Sequence, residues 1–379
     1  MLNILLYRQA PLREKLKDEE SRKIQFTGRS SYILSLPKYW VKEMNLTAGD
    51  SIIVSRVDGS SLLITPKSAR VEKRSEALVM VGSDHNPSSL VREIVSIYLI
   101  GYSHIQIRSK EGRFTTAQRN AVKNLVRTKL VGTEIVDDSS EKMSLQVLLS
   151  EADLSVENAV RRMHLIATAM HKDAITALEE QNVEIAQEVI LSDDEVDRFS
   201  LYVIRQLKFA VQNQSALETV GLNDRRDCLG YRLIIKSLER IADHASGIAE
   251  IVIESKMTLP QQVMAEIKGY SKYALETLDS SMTALFKRDY ALADKVVEVA
   301  QQAPKYEREI LEISDKFRAK DLSSLRVVLE DVRRTAEYAG DIAEIVLNLT
   351  VENVVKQISS LQKDSQHHRE RSLEAPRTT

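Results

Sequence analysis

The chain has 379 residues, and its 53 lysines and arginines against 55 aspartates and glutamates give a formal net charge of -2. This length predicts more than one domain, and 43% apolar residues are enough for sizeable cores, which excludes a wholly disordered chain. The single cysteine, Cys228, excludes a disulfide framework and a thiolate zinc site, and no apolar run is long enough to span a membrane. We therefore expect a soluble, cytoplasmic protein without direct membrane insertion.

Charge and helix breakers divide the chain into segments. Residues 21–75 hold ten lysines and arginines against four acids, whereas residues 76–379 carry a net charge of -8, so a polyanion partner is favoured for the first part only. Long stretches without glycine or proline predict long helices in the C-terminal two thirds. The predicted segments are a leader at 1–20, a β-rich domain at 21–68, an α/β module at 75–150, helical bundles at 151–258 and 259–355, and a flexible tail at 356–379.

The β-rich domain is marked by alternating apolar and polar residues between turn signals. Strands are predicted at 33–37, 51–55 and 61–64, with a helical turn at 38–44, a turn at 45–50 and a hairpin at Asp58-Gly59. A domain of this size has few core positions and is marginally stable alone. We therefore expect it to form a homodimer, since pairing two copies would bury more apolar surface.

Two short segments of this domain carry a resemblance to a known family. Thr27 to Lys38 and Leu46 to Val54 resemble the AbrB-type swapped-hairpin DNA-binding domain, in which Leu-Pro-Lys and Gly-Asp recur at this spacing. The resemblance implies an intertwined dimer with basic residues along DNA. The basic residues at or near the matching positions are Arg22, Lys23, Arg29, Lys38 and Lys42. The alternative is that such cations only keep strand edges soluble.

The middle segment predicts a βαβαββ order and hence a small α/β sandwich with a linking or dimerising role. Strands are predicted at 77–81, 104–107, 133–136 and 145–149, and helices at 88–100 and 115–130. Asn86-Pro87 is typical of a helix N-cap followed by proline, and Thr115 to Gln118 is a capping-box pattern. The loop at 82–85 precedes a helix N-terminus but fits no phosphate-loop spacing.

The helical segment contains an internal repeat. Residues 238–252 align with 332–346 at an offset of 94, with 8 of 15 positions identical. Each copy has room for three helices, so two three-helix bundles in tandem are predicted. The predicted fold class is therefore a multi-domain, mainly α chain with a small β-rich N-terminal domain and a small α/β middle module.

One helix of the first copy has a row of acids opposite its apolar stripe. Glu239, Asp243 and Glu250 lie within about 40° of one another on a helical projection and repel unless a cation neutralises them. The simplest interpretation is a solvated acidic face. The acids after Ser192 have a sufficient explanation as a capping box with a negatively charged first turn.

The same helix carries a second resemblance. Leu238 to Ala245 followed by Ile248-Ala249-Glu250 resembles the signature helix of the PhoU family, and Val189 to Asp197 resembles its other signature. The resemblance implies tandem three-helix bundles with surface metal sites built from paired acids. The implied ligands are Asp193, Asp197, Glu239, Asp243 and Glu250. Carboxylate oxygens suit magnesium, manganese or iron better than copper.

The second copy departs from this pattern. Arg333 replaces the first glutamate, and Ala300 and Pro304 stand where Asp193 and Asp197 would align. A complete second metal cluster is therefore not expected, although an acidic row persists along this helix.

Archaeal proteins that join an AbrB-type domain to a PhoU body are similar to this chain along most of its length. The resemblance implies a dimeric, DNA-binding transcriptional regulator of phosphate uptake that communicates with a component of a phosphate ABC transporter. The alternative is a PhoU-type adaptor that inhibits the transporter and uses its N-terminal module for dimerisation only. An enzyme is not expected, because the sequence has no P-loop, Gly-x-Ser-x-Gly, His-Glu-x-x-His or Glu-x-x-His motif.

Overall fold

The computed structural model describes residues 20–28, 30–56, 60–67, 76–149, 154–212, 216–255, 257–314 and 318–373. The chain divides into two compact units, Met1–Glu72 and Lys73–Thr379. The fold class agrees with the prediction, because hairpins are followed by an α/β module and then by long helices. Within the described residues, none of the helices combines the length and the apolar character that a membrane span requires.

The described part of the first unit, between residues 20 and 67, contains two antiparallel hairpins and one short helix. Its elements are β1 (Gln25–Thr27), β2 (Ser31–Ile33), α1 (Lys38–Glu43), β3 (Ile52–Arg56) and β4 (Leu62–Pro66). The strand predicted at 33–37 lies earlier, since only residues 31–33 pair with β1. The predicted turn at 45–50 is confirmed: the Thr47 amide donates to Asp50 Oδ2 at 2.7 Å, and Gly49 has a φ of +101° that favours glycine. The predicted hairpin at Asp58-Gly59 lies outside the described residues.

The α/β module has the predicted βαβαββ order. Its elements are β5 (Glu76–Val81), α2 (Pro87–Ile100), β6 (His104–Ser109), α3 (Thr116–Thr128), β7 (Thr133–Asp138) and β8 (Lys142–Val147). The strand order is β5-β6-β8-β7, with β5 and β6 parallel and the other pairs antiparallel. Local capping signals fix both helix starts: Asn86 accepts from the Ser88 amide at 2.8 Å, and Thr115 and Gln118 form the capping box.

Long helices form the rest of the second unit. They are α4 (Val156–Glu180), α5 (Val183–Gln212), α6 (Ala216–Thr219), α7 (Asp227–Ser255), α8 (Gln261–Lys287), α9 (Tyr290–Ala300), α10 (Ala303–Ile313) and α11 (Ala319–Leu373). The first repeat comprises α4, α5 and α7 as predicted. Helix α11 continues through most of the segment for which the sequence predicts a frayed tail.

The second repeat differs from the first in its middle helix. The counterpart of α5 is interrupted between Ala300 and Ala303, which gives α9 and α10 in place of one helix. Pro304 explains the interruption, because proline has no amide hydrogen for the carbonyl of Ala300 and its ring would clash there. The three helical positions predicted for this copy are therefore filled by α8, by the pair α9 and α10, and by α11.

One hydrophobic core runs through both repeats, and the two aligned helices meet inside it. Helices α7 and α11 are antiparallel, since Gly230 lies beside Leu349 while Gly247 lies beside Asp331. The apolar stripes of both helices are fully buried. The duplicated helix thus forms the seam between the two bundles, which joins them into a single core.

A buried arginine joins the α/β module to the helical body. Arg205 on α5 donates to the carbonyls of Tyr98, Gly101 and Tyr102, where α2 ends in the left-handed residue Gly101. Its Nη1 lies 3.0 Å from the Tyr102 oxygen, and its guanidinium packs over the Tyr98 ring at 4.8 Å. A cation at a helix C-terminus satisfies carbonyls that have no partner within the helix.

Replacing Arg205 by methionine should destabilise the second unit by about 2 kcal/mol, because buried carbonyl groups lose their donors while the apolar stem is retained. The free energy of unfolding in urea measures this loss. Arg232→Met, at an exposed position on α7, is the matched control and should change stability much less. Equal effects of both substitutions would contradict a joining role for Arg205.

Candidate functional site

The predicted DNA contacts lie in the first unit. Lys38 and Lys42 stand four residues apart on α1, so both project from one face of this helix, and both are exposed. Lys23 is exposed just before β1. Arg22 forms an ion pair with Glu20, which offsets its charge locally. The predicted contact Arg29 lies outside the described residues.

The two hairpins of this unit expose apolar faces. Antiparallel pairing places Val54 opposite Ile64 and Ile52 opposite Pro66, so these side chains share one face of the β3–β4 hairpin. Phe26 and Tyr32 are opposite each other in the β1–β2 hairpin, with ring centroids 5.1 Å apart. Val54 is 56% exposed, and Pro37 is the only buried residue among those described between 20 and 67. In a single copy, the described residues of this unit therefore form almost no core.

The predicted metal ligands lie on α5 and α7, and the structure brings four of the five near one another. Asp193 lies close enough to Asp197 and Asp243 for the three carboxylates to repel one another, and Asp243 is repelled in the same way by Glu239. Glu250 is exposed on α7, seven residues beyond Asp243, which is about 10 Å along a helix. It is therefore too distant to share an ion with that group.

Lysines occupy the space between these carboxylates. Lys129, at the C-terminal end of α3, places Nζ 2.6 Å from Asp194 Oδ1 and 2.6 Å from Asp197 Oδ2. Lys236 Nζ lies 2.6 Å from Glu239 Oε1. Two ammonium groups thus pair with three carboxylates of this face, Asp194, Asp197 and Glu239, and Lys129 comes from the α/β module. The buried Asp193 Oδ1 has no hydrogen-bond partner among the described residues.

The pKa directions reflect this arrangement. Burial, followed by repulsion from Asp197 and Asp243, raises the pKa of Asp193 to about 6. Burial and then Glu239 raise the pKa of Asp243 above its ordinary value. Burial alone would lower the pKa of Lys129, but its hydrogen bonds to the two aspartates outweigh burial and the pKa is raised. Lys129 therefore remains a cation.

These side chains do not fit a metal ion well. A divalent ion requires several converging oxygen ligands, and a fixed ammonium group among them repels it and occupies the same lone pairs. Within the described part of the chain, no group of three or more His, Cys, Asp or Glu side chains is arranged to hold a metal ion. Metal binding at this face stays a prediction, and the contacts weigh against it.

The second repeat has its own internal cation at the equivalent place. Arg333, aligned with Glu239, lies 2.6 Å from Glu307 and 2.6 Å from Glu337 and is only 20% exposed. Glu337 aligns with Asp243 of the first copy. The absence of a complete metal cluster from this copy stays a prediction.

Sequence reasoning missed Lys129 and Asp194 as members of the acidic cluster. Lys129 is 68 residues from Asp197 along the chain, and no local pattern reports such a contact. Lys236, three residues before Glu239 on the same helix, was detectable from i,i+3 spacing. The acidic row was thus predictable, whereas its cationic partner from another module was not.

A buried polar network lies where the bundles meet. His171 of α4 is fully buried, with Nε2 3.0 Å from Ser271 Oγ of α8 and Nδ1 3.2 Å from Thr335 Oγ1 of α11. Burial, followed by the nearby His244, lowers the pKa of His171 to about 4. A neutral imidazole has one donor and one acceptor, and two hydroxyl groups match it. His171 therefore links three helices as a neutral side chain.

Two family models match the chain. Residues 160–252 match the PhoU domain, and residues 25–72 match the MazE family described as an antidote-toxin recognition, bacterial antitoxin domain. The α/β module lies outside both matched ranges. The matches fall on the two parts of the chain for which the sequence indicated resemblances.

Curated relatives support the same assignment of the helical body. A phosphate-specific transport system accessory protein PhoU homolog of Aquifex aeolicus is 31% identical over 151 residues, which cover 40% of this chain and 66% of the relative. Homologs with the same description from Xylella fastidiosa and Clostridium acetobutylicum are 24% and 23% identical and match 50% and 52% of this chain, covering 80% and 93% of their own lengths. The helical body is PhoU-like.

Two solved structures are similar to part of the chain. A phosphate transport system regulatory protein PhoU from Streptococcus pneumoniae has 18% identity and a TM-score of 0.45, covering 51% of this chain and 92% of its own. PhoU from Pseudomonas aeruginosa has 19% identity and a TM-score of 0.46, covering 51% and 94%.

Proposed function

We propose that this protein is a regulator of phosphate uptake that binds DNA as a homodimer through its N-terminal unit and receives its signal through the PhoU-like body. The observation that carries the proposal is the union in one chain of a MazE-type match at 25–72 and a PhoU-domain match at 160–252. The relatives named as phosphate-specific transport system accessory proteins supply the phosphate connection.

The chemistry of the N-terminal unit supports DNA as its partner. Residues 21–75 carry a net charge of +6, and Lys38 and Lys42 share a helix face. Exposed lysines bind phosphates mainly as point charges, so they position a protein on DNA with little sequence reading. A dimer doubles the number of such contacts and aligns them with the two strands of a duplex.

The salt dependence of DNA binding tests this proposal. A dimer with three or four cations per subunit neutralises about 6–8 phosphates, so the log–log slope of affinity against salt should be near -5 to -7. Fluorescence anisotropy with duplex DNA from upstream of phosphate-transport genes measures this slope. Binding that is absent at low salt, or a slope flatter than about -2, would contradict DNA binding by this unit.

A double substitution identifies the contacts. Lys38→Gln with Lys42→Gln removes four cations per dimer and should flatten the slope by about 3–4 units. Lys272→Gln with Lys305→Gln removes two exposed lysines of the helical body instead and should leave the slope unchanged. A similar flattening in both double variants would mean that the body contributes to binding.

The alternative function is an adaptor that inhibits a phosphate ABC transporter and uses the N-terminal unit only for dimerisation. The names of the relatives favour this candidate, because each is an accessory protein of a transport system. Co-purification of the full chain with transporter components, together with an absence of DNA binding at low salt, would favour it over the regulator.

A further inference from the structure

We propose that the acidic helix face of the first repeat is the docking surface of the α/β module, and that the chain's own cations replace metal ions on both repeats. This inference concerns the helical body and the module beside it, so it does not depend on DNA binding. Its starting point is the position of Lys129, which belongs to one module and neutralises carboxylates of another.

Lys129 lies at the C-terminal end of α3, where the helix dipole favours a cation, and its ammonium group bridges two aspartates of α5 at 2.6 Å each. Both aspartates remain partly exposed, with side-chain exposures of 44% for Asp194 and 30% for Asp197. The bridge therefore lies at the edge of the interface between the modules.

In both repeats a cation of the chain contacts the acidic helix face. In the second repeat, Arg333 takes the position of Glu239 and pairs with Glu307 of α10 and Glu337 of its own helix. Lysine and arginine reach the carboxylates from different elements, Lys129 from the α/β module and Arg333 from α11 itself. In both repeats a cation of the chain therefore holds carboxylate oxygens that a metal ion would need as ligands.

A second contact between α5 and the module lies beside this one. Arg205 on the same helix, α5, binds the end of α2 in the module, so α5 holds the module through one cation of its own and two carboxylates that receive a cation. Reciprocal charges across one interface fix its register, because a displaced module would leave both signs unpaired. The acidic face thereby fixes how the module is oriented on the helical body.

Hydrogen exchange on the full chain tests the docking. Lys129→Gln should speed amide exchange about tenfold at the end of α3 and in the facing part of α5. Lys123→Gln is the matched control, because Lys123 lies on the same helix but pairs with Asp138 inside the module, and it should leave α5 unchanged. Wild-type exchange in Lys129→Gln would overturn the docking role.

A conservative substitution makes the test specific to the charge of this contact. Lys129→Arg keeps a cation beside Asp194 and Asp197 and should retain most of the protection that Lys129→Gln removes. Loss of protection in Lys129→Arg as large as in Lys129→Gln would overturn a charge contact.

Metal titration tests the replacement. After treatment with a chelator, the full chain titrated calorimetrically with Mn²⁺ should show no saturable site, and added Mn²⁺ should not shift its melting temperature. Stoichiometric Mn²⁺ binding that disappears in Asp197→Asn would overturn the proposal, since the acidic face would then hold a metal ion.

Discussion

Replacing Val54 by glutamine should weaken self-association of the full chain by about 10²–10⁴-fold, because a buried valine contributes about 1.5–3 kcal/mol and a two-fold interface loses it twice. Val54 lies at the centre of the most apolar hairpin face, directly opposite Ile64. In the single copy it is largely exposed to water, and among the residues described between 20 and 67 only Pro37 is buried. We expect a second copy to cover this face and so to bury its apolar side chains.

Sedimentation equilibrium of the full chain measures this effect. Ser55→Gln is the matched control, because Ser55 follows Val54 and lies on the opposite face of the same hairpin, paired with Leu63. Glutamine adds no charge in either variant, so the two variants do not differ in their electrostatic attraction to DNA. A dimer that survives Val54→Gln as well as it survives Ser55→Gln would show that this face is not the interface.

The same substitution connects dimerisation to DNA binding. Loss of the dimer halves the cations that one complex presents, so the salt slope should fall by about half along with the affinity. A monomeric Val54→Gln variant that binds DNA with the full slope would separate the two properties and leave each hairpin unit acting alone.

Local signals in the sequence were sufficient to predict most elements. Asn86-Pro87, the capping box at Thr115 and Gln118, and the turn at Asp50 act over three or four residues, and each forms as expected. The aligned repeat located the seam helices because their apolar stripes repeat with helical periodicity. Such features depend on neighbours along the chain and are therefore readable from it.

Contacts between distant elements account for what the sequence did not predict. The acids of α5 were visible in the sequence, but their pairing depends on Lys129, which comes from the α/β module and is 68 residues from Asp197 along the chain. Pro304, which interrupts the middle helix of the second repeat, is visible in the sequence. The prediction treated the second repeat as a copy of the first and so did not use it. Resemblance assigned ligand roles to the carboxylates without information about nearby cations.

His171 shows the same limit, since a histidine on an apolar face gives no sign of its partners. In the fold it joins α4 to Ser271 and Thr335 on two helices of the other repeat, with both ring nitrogens in use. A protonated imidazole would have two donors and a buried charge. Protonation therefore conflicts with the packing of the two bundles, which explains the direction of its pKa.

This conflict predicts a dependence of stability on pH. The pKa of His171 is about 4 in the folded chain against 6.5 for the ordinary side chain, so the unfolded chain takes up the proton first as the pH falls. The folded state should lose stability progressively from about pH 6.5 to pH 4, by up to about 3 kcal/mol from this residue. Above pH 6.5 both states are neutral at this position and the contribution is constant.

Comparison of the wild type with His171→Gln isolates this contribution. Glutamine retains a donor and an acceptor but does not titrate, so the difference in unfolding free energy between the two proteins should change between pH 6.5 and pH 4, in favour of the variant at low pH. NMR of the imidazole at pH 5 should show His171 neutral. A difference that stays constant across this range would mean that the folded chain accommodates the charge, and the link between the bundles would then not depend on a neutral histidine.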